Sequence, residues 1–320
     1  MTRSNTMAPG EQATRPTQIP ARGWWQVTRR AFAEGKSDNV PILAGGVAFF
    51  AFLAVFPAMI AALSLYGLVA DPAQVADQVG RLAELLPETA RPLIVDQLNS
   101  VAAGGGTALG WGLVISVLAA FWSASGGTMN LIKATNVAYD EDESRGFVKL
   151  RGIALALTVG AIIFVLLAVA LVAGVPVVLN AIGLSGFALT IAQVARWVLL
   201  FVLVTVALAV IYRVAPDRKA PRFAWVSTGA LVATVLWLIG SILFSVYVSN
   251  FGSYNKTYGA LAGVVVLMLW LYLTCYIVLL GAEINAESEK QTKRDSTVGE
   301  EEPRGRRGAE AADDVRADPA

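Results

Sequence analysis

The chain has no histidine and a single cysteine, and only 15% of its 320 residues are charged. The absence of histidine excludes histidine general bases, histidine metal ligands and the Ser–His and Cys–His pairs of nucleophilic catalysis. A single cysteine, Cys275, excludes an intrachain disulfide and a cysteine-rich zinc site. Because soluble domains carry about 25% charged residues, the low charge and the mean hydropathy of +0.59 indicate a membrane protein.

The balance of charge also limits the choice of partners. The 25 Lys and Arg residues nearly equal the 24 Asp and Glu residues, so no strong basic field points to nucleic acid. The sequence contains no glycine-rich phosphate-binding or dinucleotide-binding motif and no set of metal ligands. We therefore expect no cofactor, no metal site and no nucleic-acid partner.

Six apolar stretches approach the length of about 20 residues that a helix needs to cross a bilayer. They are residues 42–70, 108–125, 153–179, 191–214, 223–248 and 258–282. The second stretch is short, and its polar continuation needs protein or water around it rather than lipid. The sequence predicts an all-α polytopic protein whose transmembrane domain, residues 42–286, has six spans, with five or seven as the alternatives.

Lysine and arginine are unevenly distributed between the two sides that six spans would create. The segments before the first span, between the second and third, between the fourth and fifth, and after the sixth hold 21 of the 25. Positively charged segments stay in the cytoplasm, so both termini are predicted to be cytoplasmic. No apolar core precedes residue 42, and we expect no cleavable signal peptide.

The regions outside the spans differ in composition. Residues 1–21 and 287–320 are poor in large apolar side chains, which predicts disordered tails. Residues 22–41 place aromatic residues beside arginines, which predicts a short helix in the cytoplasmic headgroup layer, with a plain linker as the alternative. Residues 71–106 have apolar residues at helical spacing, which predicts an outer helical hairpin or a surface loop packed on neighbouring helices.

Glycine and proline suggest where the spans bend and pack. Gly45 and Gly46 in the first span, and Gly259 and Gly263 in the last, are expected to allow close helix contacts. Pro57 removes a backbone hydrogen bond and predicts a kink in the first span.

Several motifs follow one another along the chain. They are Ala48-Phe49-Phe50 leading to Phe56-Pro57, Trp122-Ser123-Ala124-Ser125 followed by Asn136 and Tyr139, Tyr212-Arg213-Val214-Ala215-Pro216, and Tyr258-Gly259 through Gly263, Trp270, Tyr272 and Gly281-Ala282-Glu283. Over about residues 22–286 this series resembles the YihY/BrkB family of bacterial inner-membrane proteins. The resemblance implies six helices with cytoplasmic termini in the bacterial inner (plasma) membrane. Ala54 stands where a serine is expected, which weakens any role for a hydroxyl ligand there.

Some members of this family carry a tRNA-processing ribonuclease label, and the residues here argue against that activity. Acid–base RNA cleavage or two-metal hydrolysis needs histidine or clustered carboxylates. The one carboxylate run, from Asp140 to Glu143, is expected to be a solvated charge run on a flexible loop. We therefore expect no catalytic residues.

Polar groups at membrane depth are costly and mark functional candidates. Asn130, Lys133, Arg213 and Glu283 each lie where an apolar helix ends on the cytoplasmic side, which predicts a polar cytoplasmic vestibule. The alternative is that all four side chains simply reach the headgroups. Arg196 either reaches the outer headgroups or faces a path for an anionic substrate.

Two classes of function remain. The first is a transporter or exporter of an unknown small lipid-like or amphipathic molecule. The second is a non-transporting scaffold whose tails and loops recruit partners. A cavity lined by the four vestibule residues favours the first class, and a solidly packed bundle favours the second. Membrane lipids are expected partners in both, and a homo-oligomer remains open.

Overall fold

The computed structural model describes residues 8–69, 107–183, 185–250 and 260–316. The helices are α1 (Ala21–Ser37), α2 (Val40–Val69), α3 (Thr107–Ala138), α4 (Phe147–Val169), α5 (Val175–Ala181), α6 (Gly186–Val214), α7 (Phe223–Asn250), α8 (Ala260–Glu289) and the short α9 (Glu310–Asp313). The described residues form no strand, only one isolated bridge between Pro221 and Thr297. The predicted all-α class is therefore confirmed for this part of the chain, and each predicted apolar stretch falls on a helix.

The long helices pack around α8. This helix contacts α1, α2, α3 and α7, while α2 also packs on α3 and α6 on α7. α4 packs on α3 and, less extensively, on α6. A π-helical turn, Ala170–Gly174, joins α4 to α5. Because α8 packs on α1, α2, α3 and α7 and also touches α6 and the short α9, a change in its position affects most of the bundle.

The described residues contain four helices long and apolar enough to cross a membrane: Phe147–Val172, Gly186–Val214, Phe223–Ser249 and Ala262–Glu289. A fifth is added if the pair Ala21–Ser37 and Val40–Val55, bent by 68°, counts as one span. In the most apolar 18 residues of each of these four spans, only 11–22% are buried inside the protein. An apolar surface this large suits contact with lipid rather than water. The predicted outer hairpin, residues 71–106, lies outside the described residues.

A sharp bend that the sequence did not predict lies between α1 and α2. α2 is one continuous helix from Val40 to Val69, so Pro57 lies within a helix and the kink expected there stays a prediction. The 68° bend occurs at Asp38 and Asn39, where Asn39 has a φ of 54°. Asparagine tolerates this left-handed conformation because its short polar side chain can hydrogen-bond locally. Its Nδ2 donates to the Ser37 carbonyl oxygen at 3.2 Å.

The described residues do not show the predicted contacts at three of the glycines. A β-carbon built at Gly45, Gly46 or Gly263 would have no atom of another described segment within 4 Å. Gly259 lies outside the described residues. The close crossing instead joins α7 to α8, where a β-carbon at Gly229 would lie 2.2 Å from the carbonyl oxygen of Gly281. A glycine pair identifies a small surface on a helix, but not the neighbour that the surface faces.

The two ends of the chain also differ from the expectation of disorder. α8 continues to Glu289, and the segment after it folds back, with Lys290, Gln291 and Thr292 at most 1% exposed. Thr292 donates from its hydroxyl to the carbonyl oxygen of Ala13 at 2.6 Å. The polar composition was misleading because these side chains are buried by pairing with distant segments rather than by apolar contacts. Residues 1–7 and 317–320 lie outside the described residues.

These contacts gather four segments at one end of the bundle. Residues 8–39, 139–146, 215–222 and 290–316 are joined there by hydrogen bonds and ion pairs. They belong to the same four regions in which the sequence concentrates lysine and arginine. We call this end of the molecule the basic end.

Candidate functional site

An apolar cavity of about 560 Å³ lies within the bundle. Five helices contribute to its wall, through side chains such as Val47 of α2, Leu131 of α3, Ile162 of α4, Ile211 of α6 and Cys275 of α8. Small residues also line it, and they leave the space that larger side chains would fill. The volume falls within the range of about 300–1,000 Å³ that is typical of ligand pockets.

The hydroxyl groups on the cavity wall already have partners. Thr128 and Thr158 hydrogen-bond to each other at 2.8 Å, and Thr158 also donates to the carbonyl oxygen of Ala154 at 2.7 Å. Thr274 accepts a hydrogen bond from Nε1 of Trp237 at 3.1 Å. The wall therefore offers apolar contacts, and an apolar cavity of this kind favours hydrocarbon over water.

One side of the cavity is formed by residues that also reach the outer surface of the bundle. Val165 and Leu166 of α4 line the cavity and are 54% and 48% exposed. These side chains belong to the Phe147–Val172 span, whose surface is mostly apolar. The cavity therefore borders the surface that would face lipid, so an apolar molecule could reach it from the side.

Fully buried side chains adjoin the cavity wall on three helices. Ile132 of α3, Tyr212 of α6 and Leu279 of α8 are each 0% exposed, and each lies next in sequence to a residue that lines the cavity. Tyr212 donates from its hydroxyl to the carbonyl oxygen of Val278 at 2.8 Å, which ties α6 to α8. These helices are therefore closely packed beside the cavity.

Next to Tyr212, α7 and α8 lie so close together that their backbones are in contact at Gly229 and Gly281. A β-carbon at Gly281 would lie 2.3 Å from the Tyr212 hydroxyl, so only glycine fits there. Asn285 accepts a hydrogen bond from the backbone N–H of Gly229 at 2.7 Å and donates to the carbonyl oxygen of Val226 at 3.2 Å. The Tyr212 and Gly281 motifs singled out from the sequence thus meet at a structural crossing.

Beyond the crossing, the basic end contains buried ion pairs. Arg218 and Glu289 are both 0% exposed and form a two-pronged pair, with nitrogen–oxygen distances of 2.7 and 3.1 Å. Arg218 also lies over the ring of Tyr139, and burial together with the Glu289 carboxylate raises the pKa of that tyrosine. Arg30 of α1 pairs with Glu287 at 2.6 Å. Buried charges of this kind are stable only when they are paired.

The loop after α3 is held by a second network. Asn136 donates to Glu143 at 2.9 Å and accepts from the backbone N–H of Asp217 at 2.8 Å. Arg145 binds Glu143 at 2.6 Å and donates to the carbonyl oxygen of Ala215 at 2.8 Å. The hydrogen bonds from Arg145 lower the pKa of Glu143 below its ordinary value. Glu143 is exposed, as expected of a solvated charge run, but Asn136 and Arg145 hold it in place.

The predicted vestibule residues do not come together as one cluster, and none of the four lines the cavity. Asn130 donates to the carbonyl oxygen of Gly126 in its own helix at 2.8 Å, and Lys133 is exposed. Arg213 lies 4.0 Å from the centre of the Phe223 ring. Glu283 alone is deeply buried, and its strongest charged neighbours include Asp38, Lys290 and Asp140 rather than Lys133 or Arg213. Asn130, Arg213 and Glu283 thus each have separate neighbours.

Arg196 has a different environment, toward the opposite end from the basic segments. Its Nη1 donates to the carbonyl oxygen of Val172 at 3.2 Å, within the π-helical turn, and its guanidinium lies 5.0 Å from the centre of the Trp197 ring. Among the described residues, Arg196 has no carboxylate within ion-pair distance.

The sequence suggested a laterally open cavity lined by small residues, but not which residues line it, and it did not show the role of Asn285. The cavity is lined by small and aliphatic residues on five helices, a composition that resembles any membrane span. Asn285 was visible as an amide at the end of an apolar helix, but its partners lie 56 and 59 residues away. Only the α7–α8 contact distinguishes it from a headgroup-facing side chain.

Comparison with known proteins gives the family. The family model described as Virulence factor BrkB matches residues 31–306. The chain is 32% identical over 270 residues to the ribonuclease-like protein YfkH of Bacillus subtilis, which covers 83% of this chain and 94% of that protein. It is 29% identical over 271 residues to the UPF0761 membrane protein PBPRA3489 of Photobacterium profundum, which covers 83% and 81%. No solved structure matches the chain.

The family model extends from α1 to the folded tail and includes the cavity, the crossing and the buried pair of Arg218 and Glu289. This confirms the family suggested by the order of the sequence motifs. The chain is an integral membrane protein that belongs to the YihY/BrkB family.

Proposed function

We propose that the chain is a transporter or exporter for a lipid-like or amphipathic molecule whose hydrocarbon part occupies the apolar cavity. The observation that carries this proposal is the cavity of about 560 Å³, whose wall hydroxyls are already hydrogen-bonded. Such a wall gives little affinity for an ion or a sugar, whereas a hydrocarbon chain gains contacts on every side. Membrane lipids are the nearest source of such chains.

The proposal places the chain in the bacterial inner membrane with six spans, cytoplasmic termini and residues 71–106 outside. The gathering of the basic segments at one end supports it, because positive charge favours the cytoplasmic side. In a Cys275→Ser background, a cysteine at Leu85 should react with an impermeant thiol reagent added from outside. A cysteine at Asp142 should react only after the cytoplasmic side is opened. Labelling of the Leu85 cysteine only from the cytoplasm would contradict this topology.

The proposal assigns the chain no enzymatic activity, although one relative is named ribonuclease-like. Acid–base or metal-dependent cleavage needs carboxylates that are free to act. Here Glu287 and Glu289 are bound to arginine, which supports a structural role for them. The purified protein should not cleave RNA. Cleavage that survives purification and disappears in a single-residue variant of the basic end would contradict this assignment.

Photocrosslinking tests whether the cavity binds hydrocarbon. The protein is placed in nanodiscs that contain a phospholipid with a photoactivatable group on its acyl chain, and the crosslinked peptides are identified by mass spectrometry. We expect crosslinks near Leu131 and Cys275. Ala161→Trp, which places a large ring at the cavity wall, should remove them. Ala156→Trp is the matched control, since Ala156 is on the same helix and does not line the cavity.

Transport is tested separately from binding. Proteoliposomes with a fluorescent phospholipid in the inner leaflet should show faster appearance of that lipid outside than empty vesicles. Ala161→Trp should slow this appearance, and Ala156→Trp should not. Acyl-chain crosslinking without any lipid movement would contradict the transporter and favour the scaffold. The scaffold would then have fewer free tails than expected, because residues 290–316 fold onto the bundle.

A further inference from the structure

Glu283 of α8 is a buried acid without a matching cation. Its side chain packs against Gly35 of α1, where a β-carbon would lie 3.8 Å from its Cγ, and the residue is 2% exposed. Its Oε1 has no hydrogen-bond partner among the described residues. Since a buried carboxylate is strongly disfavoured when it is unpaired, the surroundings of Glu283 favour the neutral, protonated form.

A second acid lies beside Glu283. A β-carbon at Gly35 would touch both the Glu283 side chain and Val40, which places the Glu283 carboxyl at the bend between α1 and α2, beside Asp38. A hydrogen bond between two carboxyl groups requires that one of them carry a proton. Burial, and then the negative charges of Asp140 and Glu34, raise the pKa of Asp38.

The cations near this pair already have other partners. Lys290 binds Asp140 at 2.6 Å and Glu287 at 3.0 Å. Arg316 binds Glu34, and Arg30 binds Glu287 at 2.6 Å. Asp38 and Glu283 are thus the acids of this cluster that, within the described residues, have no ion pair with lysine or arginine. No group of three or more acidic, histidine or cysteine side chains in that part of the chain is placed to hold a metal ion.

We propose that Asp38 and Glu283 form a proton-binding site, in which one proton shared between the two carboxyl groups joins the α1–α2 bend to α8. Two carboxylates in contact cannot both ionise without repelling each other. Loss of the proton would therefore leave two negative charges at the α1–α8 contact, beside Glu34, Asp140 and Glu287 and with Lys290 as the nearest cation. The protonated pair holds the bend closed, and the deprotonated pair weakens it.

The position of the site connects it to the cavity. Glu283 lies eight residues after Cys275 on α8, about 12 Å along the helix. A shift of α8 against the bend would move the cavity wall that carries Cys275. One further step rests on the proposed transport activity. If the chain transports a lipid-like molecule, the shared proton is the ion that couples transport to the proton gradient. Proton binding itself does not depend on transport.

Infrared spectroscopy detects the proton directly. The full-length protein in nanodiscs is titrated from acid to alkaline pH, and the carbonyl stretching band of protonated carboxylic acids is followed. We expect a band that persists above the ordinary carboxyl pKa of about 4 and is lost in Glu283→Gln. Asp142→Asn, which removes an exposed acid of the basic end, should leave the band unchanged. Persistence of the band in Glu283→Gln, or its absence from the unsubstituted protein, overturns the proposal.

Stability against pH gives a second measurement. Burial above all raises the pKa of Asp38, so the shared proton stabilises the folded protein below the unfolded pKa, and this contribution is lost as pH rises through the folded value. Glu283→Gln replaces the carboxyl group by an amide, which can still donate a hydrogen bond but cannot ionise. It should therefore raise the melting temperature at alkaline pH and leave it nearly unchanged at acid pH. An equal shift at every pH indicates simple packing and overturns the proposal.

The two proposals can fail independently. The infrared titration uses no transported lipid, so loss of the band in Glu283→Gln supports the proton site even when vesicles show no lipid movement. A transporting protein whose carboxylic acid band does not depend on Glu283 retains the proposed function and loses the proton site. In a transporting protein, Glu283→Gln should also remove the dependence of transport rate on the proton gradient, whereas Asp142→Asn should retain it.

Discussion

The cavity and the basic end are neighbouring regions that are stabilised by different forces. α3, α6 and α8 line the cavity, and the segments of the basic end follow where these helices end. Around the cavity the helices present small and apolar residues and leave about 560 Å³ unfilled. Where the helices meet the basic end, the side chains of Tyr212, Arg218 and Glu289 are fully buried and have defined partners.

This difference indicates which region can change shape. Buried ion pairs and backbone-level helix crossings have one good geometry, so the basic end should act as a rigid unit. Apolar contacts around an unfilled space tolerate several arrangements, and lipid can replace some of them. Single substitutions should therefore be costly at the basic end and mild at the cavity. The following predictions test this contrast, from the largest expected effect to the smallest.

The largest effect is expected at the buried pair of Arg218 and Glu289. Arg218→Ala leaves the Glu289 carboxylate without its main partner, and breaking a buried pair costs about 3–5 kcal/mol. Lys219→Ala is the matched control, because Lys219 and Glu302 are 30% and 40% exposed and such pairs contribute about 0–1 kcal/mol. Thermal unfolding of both variants in detergent measures the difference. Equal stability of the two variants would show that burial does not distinguish the pairs.

The next effect concerns the helix crossing. Gly229→Ala would place a β-carbon 2.2 Å from the Gly281 carbonyl oxygen, so α7 and α8 must separate. Overpacking of this kind costs about 1–3 kcal/mol or more. Gly45→Ala has open space around it and should be neutral or stabilising, by up to about 1 kcal/mol. Unfolding of both variants, followed by circular dichroism, checks the sign. If Gly45→Ala destabilises the protein and Gly229→Ala does not, the close helix contact lies at Gly45 rather than at Gly229.

Patterns within one segment were readable from the sequence. Apolar length predicted the helices, and the distribution of lysine and arginine predicted which segments gather together, as seen where Arg145 meets Ala215 and Lys290 meets Asp140. Both signals depend only on neighbouring residues and on composition. The order of short motifs was specific enough to identify the family.

Contacts between distant segments were not readable. The pair of Arg30 and Glu287 joins residues 257 positions apart, and no local pattern marks the two as partners. The folded tail was missed because composition measures apolar content, whereas Lys290 and Glu289 are buried through charge pairing. The lining of the cavity was missed because the position of empty space depends on how five helices face one another.

A smaller effect is expected when the cavity is partly filled. Ala161→Leu adds apolar atoms beside an unfilled space, and cavity-filling substitutions commonly stabilise by about 0.5–2 kcal/mol. Ala156→Leu adds the same atoms on α4 away from the cavity and should change stability by less than about 0.5 kcal/mol. Thermal unfolding in delipidated detergent micelles compares them. Strong destabilisation by Ala161→Leu would show that the region is packed and rigid, contrary to the comparison.

The smallest effect is a pH dependence at the loop of the basic end. Arg145 lowers the pKa of Glu143, so this carboxylate stabilises the folded state above its unfolded pKa, and the contribution is lost as pH falls through the lowered value. Glu143→Gln should therefore melt slightly below the unsubstituted protein at neutral pH, and the two should converge at acid pH. This trend is opposite to that of Glu283→Gln, which should separate from the unsubstituted protein at alkaline pH. Melting temperatures measured across the pH range compare the two variants directly. Both variants could instead deviate in the same direction and over the same pH range. In that case the ion pair of Glu143 and the proposed proton site at Glu283 do not differ in their pH dependence, contrary to the comparison.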